Sequence, residues 1–300
     1  PTLYFNFIKS PILDDKDSNK FVETTFNELS KLCPNRDRAI GELLLTVVRR
    51  LTGDQDAVYP LLYGPAGTGK TFLVEQLCEV FNQAGINTEY IHQPMTGGFS
   101  RENNDVSMSL QGITSKWGNA RNGLIFEKAR HPKTQLVLVA LDEIDKCSLE
   151  DYMVSLLDPR QPLQDAYWRD FFPDIDMRSK VIFFGTANNI DVIRKGGSTP
   201  LWSRLAPIEM PGYSVQEAIE LVANMVNRRP IEGVDTEYDK CLAASQKVVM
   251  RYKGKMLPSV RALLDQVNRE LHLRKYPILR RVLTEQREEY VPEPTIGFVG

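Results

Sequence analysis

The chain has 300 residues, enough for one large or two smaller domains. Its hydrophobic share of 42% and charged share of 25% suit a globular protein, and 37 basic against 39 acidic residues leave a formal net charge of −2. That balance argues against bulk electrostatic attraction to nucleic acid, and no apolar run reaches the ~18 residues a membrane helix needs.

The chain begins Pro1-Thr2-Leu3-Tyr4-Phe5-Asn6-Phe7, without the basic start of a signal peptide. Residues 1–20 read as an arm or linker ending in the polar run Asp14 to Lys20. Apolar spacing through Phe21, Val22, Phe26, Leu29 and Leu32 predicts a helix that stops before Pro34. A second helix is expected over 36–51, ending at Gly53.

Ala57 to Tyr63 reads as a buried strand, and Phe72 to Leu77 as the first turns of a helix that stops near Gly85. Between them stands Gly64-Pro65-Ala66-Gly67-Thr68-Gly69-Lys70-Thr71, which fits the phosphate-loop pattern Gly-x-x-x-x-Gly-Lys-Ser/Thr in the strand–loop–helix context it requires. The glycines let the backbone turn its N–H groups toward phosphate oxygens, and the helix N-terminus adds partial positive charge there. Lys70 is expected on the β- and γ-phosphates of a nucleoside triphosphate, and the Thr71 hydroxyl on Mg²⁺.

Thr88 to His92 predicts a short strand. Met95 to Trp117, rich in Gly, Ser and Asn, reads as a long loop or hairpin insertion, a form that usually carries function. Residues 123–130 predict a helix, and Gln135 to Leu141 a strand buried on both faces. That strand delivers Asp142-Glu143 at its carboxyl end, where open α/β sheets place ligand chemistry. Asp142 is expected to hold Mg²⁺ through its water shell, and Glu143 to orient and deprotonate the attacking water. Ser148 to Leu157 reads as a helix capped by Ser148. Val181 to Gly185 is another buried strand, running into Thr186-Ala187-Asn188-Asn189; Asn188, ahead of its neighbour Asn189, is the candidate for orienting water.

Strands alternating with helices imply an α/β fold with a doubly wound parallel sheet. After Pro211-Gly212 the pattern changes to three helices, Ser214 to Asn227, Asp235 to Tyr252 and Ser259 to Tyr276, with no strand between them. The expected organisation is an arm with helices over 1–52, the nucleotide-binding domain over 53–211, a small all-helical domain over 212–278 and a tail over 279–300. Cys33, Cys78, Cys147 and Cys241 form no Cys-x-x-Cys pair and read as reduced thiols, consistent with a cytoplasmic protein. His92, His131 and His272 have no ligand spacing and read as core or surface histidines.

With these motifs in hand the chain resembles an AAA+ ATPase, and residues 57–275 look most similar to the ATPase module of the Lon protease family. Beyond the phosphate loop, the resemblance rests on Gly97-Gly98-Phe99, Leu141 to Lys146, Leu156-Leu157-Asp158-Pro159, Thr186-Ala187-Asn188, Pro200 to Leu205, Met210 to Tyr213 and Pro258 to Arg261. It implies a P-loop AAA+ large domain followed by a helical lid. It also implies that Arg204 is an arginine finger reaching the γ-phosphate held by a neighbouring subunit, and that Arg261 is the lid arginine contacting nucleotide within its own subunit. A finger supplied in trans implies a homo-oligomeric ring, a hexamer by family habit. Lys116-Trp117-Gly118 falls where the family places its substrate-gripping pore loop, but Lys116 takes the usual aromatic's place. Trp117 would then either intercalate between substrate side chains or pack within its own domain. Pro159 to Phe172, with Trp168, falls on the second pore-loop region.

The family's large N-terminal domain and its Ser–Lys protease domain have no counterpart in these 300 residues, so the expectation is an ATPase module without a protease site of its own. The leading functional expectation is a Mg–ATP-driven motor that remodels or threads polypeptide. The alternatives are a nucleic-acid ATPase, toward which Arg274, Lys275, Arg280 and Arg281 point, and a nucleotide-gated scaffold.

Overall fold

The structure, a computed structural model, describes residues 15–54, 58–95, 105–147, 150–195, 199–228, 236–253 and 257–276, with single positions 234, 278, 279 and 283. In chain order the elements are α1 (Asp15–Leu32), α2 (Asp37–Leu51), β1 (Tyr59–Tyr63), α3 (Lys70–Gln83), β2 (Thr88–Pro94), α4 (Asp105–Gln111), α5 (Leu124–Ala129), β3 (Leu136–Asp142), α6 (Glu150–Leu156), β4 (Val181–Ala187), α7 (Ile190–Arg194), β5 (Leu205–Glu209), α8 (Val215–Arg228), α9 (Tyr238–Val249) and α10 (Val260–Lys275). They group into two compact units, one up to Gly212 and one from Tyr213.

In the first unit the strands form a five-stranded sheet in the order β2-β3-β4-β1-β5, parallel at every pairing. Alternation along the strands sends side chains to opposite faces. Val137, Val139, Leu141, Phe183, Tyr59 and Leu61 pack on one face with Ile125 and Phe126 of α5. Leu136, Leu138, Ala140, Ile182, Phe184 and Leu62 pack on the other with Ile40, Leu43, Leu73 and Leu77 of α2 and α3. Covering both faces is what makes β3 an unbroken apolar run. Helix α2 thus belongs to the same core as the sheet.

Phe183 is fully buried and meets the Tyr59 ring edge-on at 5.5 Å. Phe183→Ala should therefore destabilise this unit by about 3–5 kcal/mol. Denaturant unfolding of the variant with a loss below ~1 kcal/mol would contradict that packing.

The structure departs from the sequence reading in four places. Helix α1 starts at Asp15, inside the polar run read as a linker, which carries no apolar period to signal a helix. Helix α4 lies within the span read as a loop. Its seven residues are too few to give a periodic signal. Strand β5 is a short edge strand with only Leu205 and Ile208 buried, where Pro207 is tolerated because an edge has one unpaired side. The short helix α7 follows β4. Gly97, Gly98, Phe99, Ser148, Arg280 and Arg281 lie outside the described residues.

Among the described residues the second unit gathers the three helices α8, α9 and α10. Ala218, Val222 and Val226 of α8, Cys241, Ala244 and Val248 of α9, and Leu263, Val267 and Leu271 of α10 form its core. Among the described residues no helix is long and apolar enough to cross a membrane.

Candidate functional site

The parallel sheet brings the carboxyl ends of β1, β3 and β4 side by side, because β1 and β3 both pair with β4. Gly64 leaves β1 at φ 146°, and a Cβ there would lie 2.1 Å from the Met210 carbonyl oxygen. Only glycine fits that close approach. Gly69, at φ 88°, begins α3 with no side-chain cap on its N-terminal N–H groups. A 14-residue helix therefore presents its positive end and unpartnered donors at the loop.

Lys70 is buried and folds back over that loop. Its Nζ donates to the carbonyls of Gly64 and Pro65, each at 2.8 Å, and to Asn188 Oδ1 at 2.9 Å. Burial lowers its pKa, and the nearby carboxylates of Asp142, Asp145 and Glu143 oppose that shift.

Asp142 is the hub of the opposite wall. Its Oδ1 accepts from Thr71 Oγ1 at 2.8 Å and Thr186 Oγ1 at 2.5 Å, and His92 Nε2 lies 3.2 Å from its Oδ2. Burial pushes the carboxyl's pKa up, but the hydrogen bonds from Thr186, Thr71 and His92 outweigh it and hold the group below the usual range. The carboxylate is thus ionised with a hydroxyl beside it. These are hard oxygen donors of the kind Mg²⁺ takes, usually one or two protein ligands with phosphates and waters completing the shell. Among the described residues no cluster of three or more His, Cys, Asp or Glu could hold a metal ion.

Glu143 adopts a left-handed conformation, φ 58° and ψ 49°. A non-glycine residue there stores about 1–3 kcal/mol of strain. The bond from its N–H to Thr186 Oγ1, at 2.9 Å, helps to fix it. Its Oε1 accepts from Asn188 Nδ2 at 3.1 Å and Lys146 Nζ at 2.7 Å. Asn188 therefore bridges Lys70 and Glu143 with the two ends of one amide. Its N–H and that of Asn189 both donate to Asp145 Oδ2, at 3.1 and 3.0 Å. The Asn189 side chain turns away and caps α7 by accepting from the Asp191 N–H.

The sequence reading gave Thr186, Asp145, Lys146 and His92 no role in the site. Thr186 was legible only once β4 was known to lie beside β3, since Leu141 pairs with Gly185.

Arg204 stands elsewhere. It immediately precedes β5, whose first residue, Leu205, pairs with Tyr59, the first residue of β1. It is therefore at the sheet edge opposite the phosphate loop. Its Nη2 donates to Asp158 Oδ2 at 2.8 Å and its Nη1 to the Pro200 carbonyl at 2.6 Å. Arg261 is exposed in the first turn of α10, in the second unit.

Lys116, Trp117 and Gly118 are exposed in a loop closed by the antiparallel bridge of Ile113 with Arg121. Trp117 is 67% exposed and so does not pack within its own unit. Thr114 Oγ1 and Ser115 Oγ donate to Asp170 Oδ2, at 2.6 and 2.7 Å, tying this loop to the segment that carries Trp168.

Residues 60–205 match the family model "ATPase family associated with various cellular activities (AAA)". Residues 60–205 thus form a domain of the AAA family. The chain is 32% identical over 192 residues to a Lon protease of Parabacteroides distasonis, covering 63% of itself and 21% of that protein. It is 28% identical over 260 residues to the human mitochondrial Lon protease homolog, covering 84% of itself and 25% of the relative. The chain thus spans about a quarter or less of the length of these relatives. In fold it is similar to S. cerevisiae Hsp104, solved in complex with casein in an extended conformation, with a TM-score of 0.62 at 14% identity over 95% of this chain and 51% of the other.

Proposed function

We propose that the chain is a Mg–ATP-hydrolysing motor that works as a ring, by family resemblance a hexamer in the cytoplasm, to remodel or thread polypeptide. The observation that carries the reading is the convergence of Lys70, Thr71, Asp142, Glu143 and Asn188 at one sheet edge. Lys70 exchanges its loop carbonyls for β- and γ-phosphate oxygens, whose charge offsets the cost of burying its ammonium. The loop from Gly64 to Thr71 cradles the phosphates with its backbone N–H groups. Thr71 and Asp142 would hold Mg²⁺, which neutralises charge on the phosphates when bound. Glu143 accepts the proton of the attacking water, and Asn188 holds Glu143 and Lys70 in register with it. Arg204 serves a neighbour's site, and Arg261 reports phosphate state from the helical unit.

The polypeptide reading rests on the exposed Trp117 and on the Lon and Hsp104 likeness. It is tested by measuring ATP turnover with an unfolded protein and, separately, with DNA over a salt series. Stimulation by unfolded protein alone is the expected result. Stimulation by DNA alone, falling steeply with salt, would replace the motor reading with a nucleic-acid one. A nucleotide-dependent change of oligomeric state with stimulation by neither would indicate a nucleotide-gated scaffold.

A further inference from the structure

Two stretches of the first unit, the loop between α4 and α5 and residues 164–172, are tied into one body. Gln111, the last residue of α4, accepts the Ala166 N–H on its carbonyl at 2.6 Å and donates its side-chain amide to the Gln164 carbonyl at 3.2 Å. Asp165 is fully buried between them. One of its oxygens accepts the Gly123 N–H at 2.7 Å, and the other accepts the N–H groups of Tyr167 and Trp168 at 3.0 and 3.1 Å. Trp168 also stacks on Phe126 of α5, with ring centroids 5.4 Å apart. Further out, the Thr114 and Ser115 hydroxyls both donate to Asp170. Those two bonds hold the Asp170 carboxyl below the usual range. Asp165 thus fastens the two stretches at their root and Asp170 fastens them near their tips.

The joined stretches carry an exposed surface of mixed character. Trp117 is 67% and Phe171 55% exposed. Lys116, Arg121 and Arg169 are exposed in the same stretches. Among the described residues the ion pairs nearest in sequence are Lys128 with Glu89 and Arg130 with Glu127, and the three cations make none. The carboxylates close by are mostly committed. Asp165 and Asp170 hold the tie, and Asp176 accepts the N–H groups of Leu163 and Arg178. Asp174 is the exposed one that remains. Flat apolar faces therefore stand beside an excess of positive charge. Single-stranded nucleic acid would meet both chemistries, but a chain of net charge −2 lacks the broad basic groove that such a strand follows. A polypeptide needs only a few carboxylates set among its rings, which pack on Trp117 and Phe171 while the carboxylates meet the cations.

We propose that this surface selects polypeptide segments in which acidic side chains neighbour aromatic ones, and that Asp170 is a positioning residue that fixes the spacing between Trp117 and Phe171. The inference rests on the polypeptide reading above and adds a substrate class to it. Lys116, Arg121 and Arg169 supply the charge preference, and the two rings supply the apolar contact.

Three fluorescent unstructured peptides of equal length test it by anisotropy, with the full chain saturated by a non-hydrolysable ATP analogue. One carries Trp and Phe with Glu, one the same rings with Lys, and one Glu with Ser in place of the rings. The first should bind about tenfold more tightly than the second at low salt, since three exposed charge pairs contribute a factor of about two each. The gap should narrow as salt rises. The third should also bind more weakly than the first. Lys116→Glu combined with Arg169→Glu should turn the preference toward the lysine peptide.

Asp170→Ala removes a negative charge, which by itself would tighten binding of the acidic peptide. It should instead weaken that binding about tenfold, because the two ring contacts no longer act together. Thr114→Val with Ser115→Ala cuts the same tie without changing charge and should match it. Thermal unfolding close to the parent's checks that each variant keeps its fold. Equal binding of all three peptides, with unfolded protein still stimulating turnover, would overturn the inference and leave the polypeptide reading standing. No peptide binding and no stimulation by unfolded protein would bring down both. Tight binding of a single-stranded oligonucleotide in place of the peptides would assign the surface to nucleic acid instead. Parent-like peptide binding by Asp170→Ala and by the double variant would strip Asp170 of its positioning role.

Discussion

Glu143→Gln should leave ATP bound and slow its hydrolysis by about 10²–10⁴-fold, the usual contribution of a positioned general base. Two details make the prediction sharp. Glu143 Oε1 accepts from Asn188 Nδ2 and Lys146 Nζ, and a glutamine carbonyl oxygen can accept both bonds. The left-handed backbone at Glu143 is held partly by Thr186 Oγ1, which the substitution does not touch. Geometry is thus kept while basicity is lost. The variant should also hold nucleotide-dependent assemblies together, because ATP persists in the site. Single-turnover hydrolysis beside equilibrium nucleotide binding is the measurement. A rate within about threefold of the parent would remove Glu143 from the role of base. Lost nucleotide binding would mean that the residue shapes the pocket instead.

Lys70, Thr71, Asp142, Glu143 and Asn188 could be read from the chain because each is tied to a local signal: a glycine-rich turn between a strand and a helix, or a polar group ending an apolar run. The residues that hold them in place could not. Thr186 reaches Asp142 across a strand pairing that depends on the order β2-β3-β4-β1-β5, and strand order leaves no mark on composition or period. Asp145 receives the N–H groups of Asn188 and Asn189 from over forty residues away. The fold was legible on the same terms. β3 announces itself because both its faces are covered, whereas β5 is short, carries a proline and lies at an edge. Helix α4 is likewise too short to average a period.

The sheet also separates two kinds of chemistry. Its carboxyl edge gathers one lysine with several carboxylates. Its amino edge gathers arginines around Asp158. Each edge carries a charge excess complementary to part of a Mg–triphosphate, and Arg204 sits an entire strand length from the loop of its own chain. The proposed ring would bring the two edges together by setting one copy's Arg204 beside its neighbour's phosphate loop.

Arg204→Ala should therefore bind ATP like the parent and lose turnover by a factor on the order of 10³–10⁵, as when a trans-acting arginine is withheld from other nucleotide hydrolases. The substitution also gives up a largely buried ion pair with Asp158 and one bond to the Pro200 carbonyl, so thermal unfolding of the variant is measured beside its turnover. The decisive version mixes Arg204→Ala with Glu143→Gln. Each variant alone lacks an element of every site. In a mixed ring an Arg204→Ala copy keeps Glu143, and a Glu143→Gln neighbour lends it Arg204. Random equal mixing should make about one site in four complete, so activity should rise from near zero in each pure variant to a sizeable fraction of the parent's. Turnover measured across mixing ratios should peak at an intermediate composition. A flat profile at every ratio, with both variants confirmed folded and competent in nucleotide binding, would mean that Arg204 acts within its own chain or only props up Asp158.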